Sequence, residues 1–189
     1  MTHTFLTLPP DWAGSRTERH LVLVGLPGCG KTTVGQGVAT RLGRAFLDLD
    51  HEIERREGSD IATIFAEKGE PYFREREQAV TLELAEIGGL IVSPGGGWIT
   101  NADAVRALRP RARIIYLKAK PETALKRMGA SRTSRPLLVR PDPLGELRRL
   151  LLERGGAYER ADEVIDTERM SAQQVIEKVA MLAPRRGAA

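Results

Sequence analysis

Two apolar patterns alternate along the chain. Short runs rich in Val, Ile and Leu lie at His20–Val24, Leu90–Val92, Arg113–Leu117 and Val164–Asp166. Runs with so little polar alternation suit strands buried on both faces, as in a parallel sheet. Between them apolar residues recur three and four apart, the spacing of an amphipathic helix. The first run leads to a helix over Lys31–Leu42, where Val34, Val38, Ala39 and Leu42 share a face and Gly43 marks the stop. Ala45–Asp50 reads as a second strand, with Phe46, Asp48 and Asp50 on one side and Leu47 and Leu49 on the other. Charged residues dominate His51–Asp60. A helical face then follows in Ile61, Ile64 and Phe65, closed by Lys68-Gly69, and a longer helix runs from about Pro71 to Ile87. Beyond Leu90–Val92 comes Pro94-Gly95-Gly96-Gly97, and then a helix capped by Asn101 and bearing Ala104, Val105 and Leu108. Further helices are expected from Pro121 to about Met128, over Leu144–Arg154, and after the capping box Ser171-x-x-Gln174. Strands alternating with helices predict an α/β protein whose parallel sheet is covered on both faces.

Three stretches lack a period. Residues 1–19 read as a flexible extension and 184–189 as a tail, leaving one domain over 20–183. Residues 129–143 carry four Pro or Gly and the arginines Arg132, Arg135 and Arg140. So long a segment without a pattern inside a domain reads as a functional lid.

Composition narrows the function classes. The 189 residues suit a single domain, 41% hydrophobic and 29% charged, as in ordinary globular proteins. No apolar run approaches the roughly 20 residues of a membrane span, and the N-terminal stretch lacks the pattern of a secretory signal. One cysteine excludes an internal disulfide and fits a reducing cytoplasm. The net charge of +4 is concentrated at 126–160, which holds nine basic and four acidic residues. With aromatics at 5%, base stacking on nucleic acid has little to work with. A local basic excess serves an anionic small molecule more simply.

The chemistry centres on Gly25-x4-Gly30-Lys31-Thr32, between the first strand and the first helix, which is the pattern of a P-loop. Its glycines let backbone N–H groups face phosphate oxygens, and the helix N-terminus favours the same anion. Lys31 can reach the β- and γ-phosphates, and the Thr32 hydroxyl can hold magnesium. Three further features bear on the acceptor. Of Asp48 and Asp50, one can hold a magnesium-bound water and the other can take or orient an acceptor hydroxyl proton. Arg74 and Glu77, three apart on a helix, can pair so that a fixed guanidinium meets a carboxylate. Gly95-Gly96-Gly97, after a strand, permits close backbone approach to a ligand.

In this order, Gly-x4-Gly-Lys-Thr, Phe-x-Asp-x-Asp, Ile-Phe-x3-Gly-Glu-x2-Phe-Arg-x2-Glu, Gly-Gly-Gly and Arg-Pro-Leu-Leu, with an Arg ahead of Tyr158, the chain resembles the shikimate kinase family from about Leu21 to Thr167. The resemblance implies a P-loop NTPase of nucleoside-monophosphate-kinase-like, three-layer fold, with a five-stranded parallel sheet and a mobile lid. It implies phosphoryl transfer from ATP, with Mg2+, to the 3-hydroxyl of shikimate, in aromatic amino-acid biosynthesis. Carried over by position, Gly28, Cys29, Gly30, Lys31, Thr32 and Thr33 would hold the phosphates, and Thr32 and Asp48 the magnesium. Asp50 would engage the shikimate hydroxyls and act as base. Arg74 and Arg154 would clamp the carboxylate, and Gly95, Gly96 and Gly97 would border the substrate. Arg135 would come from the lid to the transferring phosphoryl, and Arg127 would stack on adenine. The resemblance also implies a monomer. Neither nucleic acid nor membrane is expected as a partner, and the expected location is cytoplasmic. The chain departs from the family in having Gly155-Gly156 after Arg154, where a proline is frequent, and Trp98 after the glycines, which reads as a packed ring rather than a contact to substrate.

Two other classes compete. A gluconate kinase of the same fold would also use an arginine clamp, but Phe73-Arg74-x-x-Glu77 together with the triple glycine points away from it. A P-loop module that binds without transferring phosphate would lack Asp50, Arg74 or Arg135, and all three are present.

Overall fold

The computed structural model describes residues 18–129 and 141–183. The extension up to residue 17, most of the expected lid with Arg132, Arg135 and Arg140, and the tail lie outside the described residues. Glu18 and Arg19, assigned to the extension from sequence, are tied to the domain: Glu18 pairs with Arg44 at 2.7 Å, and Arg19 donates to the carbonyls of Arg109 and Ala112.

Five strands form one parallel sheet: β1 (His20–Val24), β2 (Phe46–Asp48), β3 (Ile91–Ser93), β4 (Ala112–Lys118) and β5 (Glu163–Asp166), in the order β2-β3-β1-β4-β5. β1 lies between β3 and β4, with Leu21 opposite Ile91 and Arg113, and Val22 opposite Val92 and Ile114. Because strand side chains alternate, the central strands feed two cores. Val22, Val24, Val92, Ile114 and Tyr116 face one layer with Leu84, Leu108 and Leu150. Leu21, Leu23, Ile91, Ile115 and Leu117 face the other, with Val34, Val38, Val175 and Val179. The first layer contains α2 (Leu49–Glu57), α3 (Ile61–Ala85), α4 (Ala102–Leu108) and α6 (Pro143–Tyr158). The second contains α1 (Lys31–Leu42) and α7 (Ala172–Met181), while α5 (Pro121–Met128) packs on α6 through Ala124, Met128 and Leu147.

Most elements follow the pattern read from sequence, and two differ, at Asp50 and at the end of α6. The expected strand Ala45–Asp50 ends at Asp48, so Asp50 is not a strand residue sharing a face with Asp48. The Asp48 carboxylate accepts from His51 N at 3.3 Å and caps α2, which starts at Leu49, so helix capping wins over strand alternation. The break expected at Lys68-Gly69 is present inside α3, where Gly69 takes φ 80° and ψ 167°, outside the reach of most side chains. The helix expected to end at Arg154 continues through Gly155 and Gly156 to Tyr158. This keeps Arg154 and Tyr158 one turn apart on the same face.

His20, to which sequence reading assigns no role, is fully buried at the amino end of β1. Its Nδ1 accepts from Leu90 N–H at 3.1 Å, so the proton sits on Nε2, which donates toward Leu84 O and Ile87 O, each at 3.0 Å. Burial lowers its pKa; the two carbonyl bonds work the other way, and Arg111 and Arg44 reinforce the lowering. The fold therefore binds the neutral ring, while an unfolded chain takes up a proton near pH 6.5. Stability is fully present above about pH 6.5 and is lost as the pH falls from there toward the lower folded value. Urea denaturation between pH 7.5 and 5 should show this decline, and His20→Gln should flatten it while lowering stability at pH 7.5.

Candidate active site

The site is built at the carboxyl ends of β2, β3 and β1, three neighbouring strands. Leaving β1, the chain turns through the P-loop into α1, whose N-cap is Gly30. Gly28, at φ 83°, lies against α5 so closely that a β-carbon would collide with Ala124 O and Met128 Cγ. A larger residue there would push the loop off the helix that shapes its outer wall. The first turn of α1 carries no acidic residue of its own, as suits an anion site. The buried Lys31 ammonium donates to Gly25 O at 3.0 Å and Leu26 O at 3.1 Å.

An open cleft of about 370 Å³ runs beside this loop. Gly28, Cys29, Gly30, Lys31, Thr32 and Thr33 line it together with Arg127, which fits the grouping expected from sequence. Arg127 is held by Thr167, through Nη1 to Oγ1 at 2.8 Å and Nη2 to the carbonyl at 2.6 Å. Thr167 and Met170, which sequence reasoning missed, line it as well. Thr167 follows β5 directly, at the end of the sheet where open α/β folds place ligands, and that position was its only signal.

Thr32 and Asp48 also meet. The Thr32 hydroxyl lies 3.4 Å from Asp48 Oδ2, so a strand end and a helix start place two hard oxygen donors at the loop. Among the described residues no cluster of three His, Cys, Asp or Glu could hold a metal. Two oxygen donors beside a phosphate loop fit magnesium, which takes few protein ligands and completes its shell with water and phosphate oxygens.

The second half of the site forms around Gly95-Gly96-Gly97. A β-carbon on Gly95 would lie 2.5 Å from Asp50 Oδ1, one on Gly96 would lie 3.3 Å from Arg154 Nη1, and one on Gly97 would collide with the Arg74 guanidinium. Three charged side chains from α2, α6 and α3 therefore rest on three successive glycines. Pro27 of the P-loop lies 3.6 Å from the same Gly96 position. Arg74 is held by Glu77 (Nη1 to Oε2, 2.9 Å) and by Glu70 (Nη2 to Oε1, 3.0 Å). The pairing expected from spacing is thus present, and its carboxylate side is fully buried. Burial pushes the Glu77 carboxyl up, against the pull of Arg74 and Arg154. Burial works against the charge of Arg74 as well, but Glu77 and Glu70 more than offset it and hold its pKa above the ordinary value. Trp98 is a core residue: its ring is buried, and Nε1 donates to Thr81 Oγ1 at 3.1 Å. Arg135 lies outside the described residues.

A P-loop leading into α1, paired oxygen donors and two guanidinium groups on a glycine turn one strand away, on a sheet ordered 2-3-1-4-5, define a P-loop phosphotransferase of the nucleoside-monophosphate-kinase-like class. Comparison with known proteins narrows this. The family model described as Shikimate kinase matches residues 27–183. A shikimate kinase of Pseudomonas savastanoi pv. phaseolicola is 43% identical over 172 residues, covering 88% of this chain and 99% of its own. One of Pelotomaculum thermopropionicum is 40% identical, covering 85% and 93%. The solved shikimate kinase of Acinetobacter baumannii, in complex with shikimate, superposes with a TM-score of 0.82 at 40% identity, covering 88% of this chain and 93% of its own. The chain belongs to the shikimate kinase family, and the resemblance carried by its motifs is borne out.

The Arg74–Glu77 pair makes a stability prediction. Arg74→Met leaves a buried carboxylate without its main counter-charge and should cost about 2–3 kcal/mol. Arg74→Met combined with Glu77→Met should recover most of that loss, because a matched apolar pair removes the desolvation cost as well. Urea unfolding of both variants checks the order.

Proposed function

We propose that the chain transfers the γ-phosphoryl group of ATP to the 3-hydroxyl of shikimate. The observation that carries this reading is the convergence of Asp50, Arg74 and Arg154 on Gly95-Gly96-Gly97, with Pro27 of the P-loop against the same backbone. A guanidinium pair fits a carboxylate, an adjacent carboxylate fits hydroxyls, and the phosphate loop stands next to both.

Each residue then has a chemical task. The P-loop backbone from Gly28 to Thr33 cradles the phosphates, and Lys31 exchanges its bonds to Gly25 and Leu26 for phosphate oxygens. Thr32 and Asp48 would hold magnesium, which when bound supplies charge neutralisation at the β- and γ-phosphates. Arg127, fixed by Thr167, offers the flat face of its guanidinium to the base. Arg74 and Arg154 hold the substrate carboxylate, and Glu77 and Glu70 keep Arg74 from turning away. Gly96 meets a substrate hydroxyl with its backbone. Asp50 accepts the proton of the attacking hydroxyl as the new P–O bond forms and the bond to ADP breaks. The resemblance assigns stabilisation of the transferring phosphoryl to Arg135, work suited to a guanidinium.

Among the described residues no helix is long and apolar enough to cross a membrane. The free Cys29 in the loop suits a reducing cytoplasm as the place of action. The enzyme acts as a monomer, with ATP and shikimate rather than nucleic acid as its partners.

ADP release from MgATP by the purified protein tests the reading, with shikimate and gluconate as parallel acceptors. Release should rise with shikimate and stay at its basal level with gluconate; stimulation by gluconate alone would reverse the assignment. Asp50→Asn should lower kcat by about 100- to 10,000-fold, the range for removing a general base, with the KM for ATP little changed.

A further inference from the structure

The acceptor loop has no side chains of its own over Gly95-Gly96-Gly97, so something else must fix its peptide planes. Tyr158, on the last turn of α6, is fully buried, and its hydroxyl donates to Gly96 O at 2.7 Å. Its ring stacks on Tyr116 of β4, with centroids 5.0 Å apart and planes inclined by 18°. Tyr116 in turn borders the P-loop: a β-carbon on Gly25 would lie 3.5 Å from its Cε2. Two aromatic rings thus span the distance from the first residue of the phosphate loop to the middle of the acceptor loop.

From this geometry we propose that Tyr158 is a positioning residue for phosphoryl transfer, its hydroxyl setting the Gly96–Gly97 peptide against the acceptor while its ring, through Tyr116, keys that loop to the P-loop. The proposal rests on the acceptor reading given above. The described chain has no cis peptide, so the Gly96 carbonyl and the Gly97 N–H point in opposite directions. Holding the carbonyl on the α6 side therefore turns the N–H toward the other side. Gly97 is also the glycine against which the Arg74 guanidinium packs. A rotation of this one peptide would move a backbone donor and crowd the carboxylate clamp together.

Burial raises the pKa of the Tyr158 hydroxyl and pushes that of Tyr116 up to about 12, so both stay protonated through the working range and Tyr158 remains a donor. Arg154, one turn earlier on α6, also faces this hydroxyl. One helix face thus presents both a charge for the substrate and an anchor for the loop that meets it.

The test compares Tyr158→Phe with Tyr116→Phe. Both keep the stacked rings, and each removes one hydroxyl. Steady-state kinetics should show the shikimate KM of Tyr158→Phe raised about 3- to 10-fold, the range for losing one neutral hydrogen bond, with the KM for ATP within twofold of wild type. Tyr116→Phe should leave both KM values within twofold. Amide exchange at Gly97, followed by NMR without acceptor, should quicken in Tyr158→Phe and not in Tyr116→Phe. The proposal is overturned if Tyr158→Phe leaves Gly97 exchange and the shikimate KM unchanged. It is equally overturned if both KM values rise together with a lower melting temperature, the mark of general loosening. If wild-type protein shows no shikimate-dependent ADP release, the acceptor reading fails by itself, and the exchange comparison still decides whether Tyr158 holds the loop.

Discussion

Everything in the site depends on the pairing of β1 with β3. Parallel strands in register end on the same side of a sheet, about 4.8 Å apart. In the function proposed above the loop after β1 holds phosphate and the loop after β3 faces the acceptor, and their juxtaposition follows from the ladder Leu21–Ile91 and Val22–Val92. β2 continues the order on the far side of β3, with Leu47 opposite Val92, and delivers Asp48 and then Asp50. Had the strand order placed β1 and β3 apart, no rearrangement of side chains would bring donor and acceptor into contact.

On this frame the charges are held before any substrate arrives. Arg56 bonds to Glu52 within α2 at 2.8 Å and to Glu83 of α3 through two bonds, at 2.7 and 2.8 Å. That bracing ties the helix bearing Asp50 to the helix bearing Arg74. Burial of Glu52 works against its ionised form, yet the bonds from Arg55 and Arg56 still draw its pKa below the ordinary carboxylate range. Pre-oriented charge of this kind stabilises a transition state without reorganisation during the reaction. The carboxylates of Glu70 and Glu77 serve the same end, since a guanidinium with two neighbours has few orientations left.

Much of this was legible in the sequence because it is local. The P-loop, the helix face of α1, the break at Gly69 and the capping box at Ser171 each declare themselves within a dozen residues. The strand assignment of Asp50 was wrong for a local reason too: alternation and N-capping compete at Asp48, and only the backbone shows which prevails. Thr167 was passed over because its bond to Arg127 spans 40 positions. His20 was passed over for the same cause, its partners Leu84, Ile87 and Leu90 all being distant in sequence. Residues with recognisable chemistry stand out along the chain, and so does a holder close by, as Glu77 is to Arg74; a holder distant in sequence leaves no pattern.

The two aromatic residues under the acceptor loop illustrate why such anchors are needed. A triple glycine lets Asp50, Arg154 and Arg74 approach the backbone, but it gives up side-chain packing at three successive positions and retains the most backbone freedom. Rigidity must then come from either side. Trp98 follows the glycines immediately, buries its ring and reaches Thr81, whose hydroxyl bonds to Glu77 O at 2.7 Å. Tyr158 reaches up from α6 to Gly96. A large apolar body with one polar tip suits this position, because it fills the core below while satisfying a backbone or hydroxyl group above. Bulk at Trp98, unexpected beside a small substrate, is thus the complement of the missing bulk at the three glycines before it.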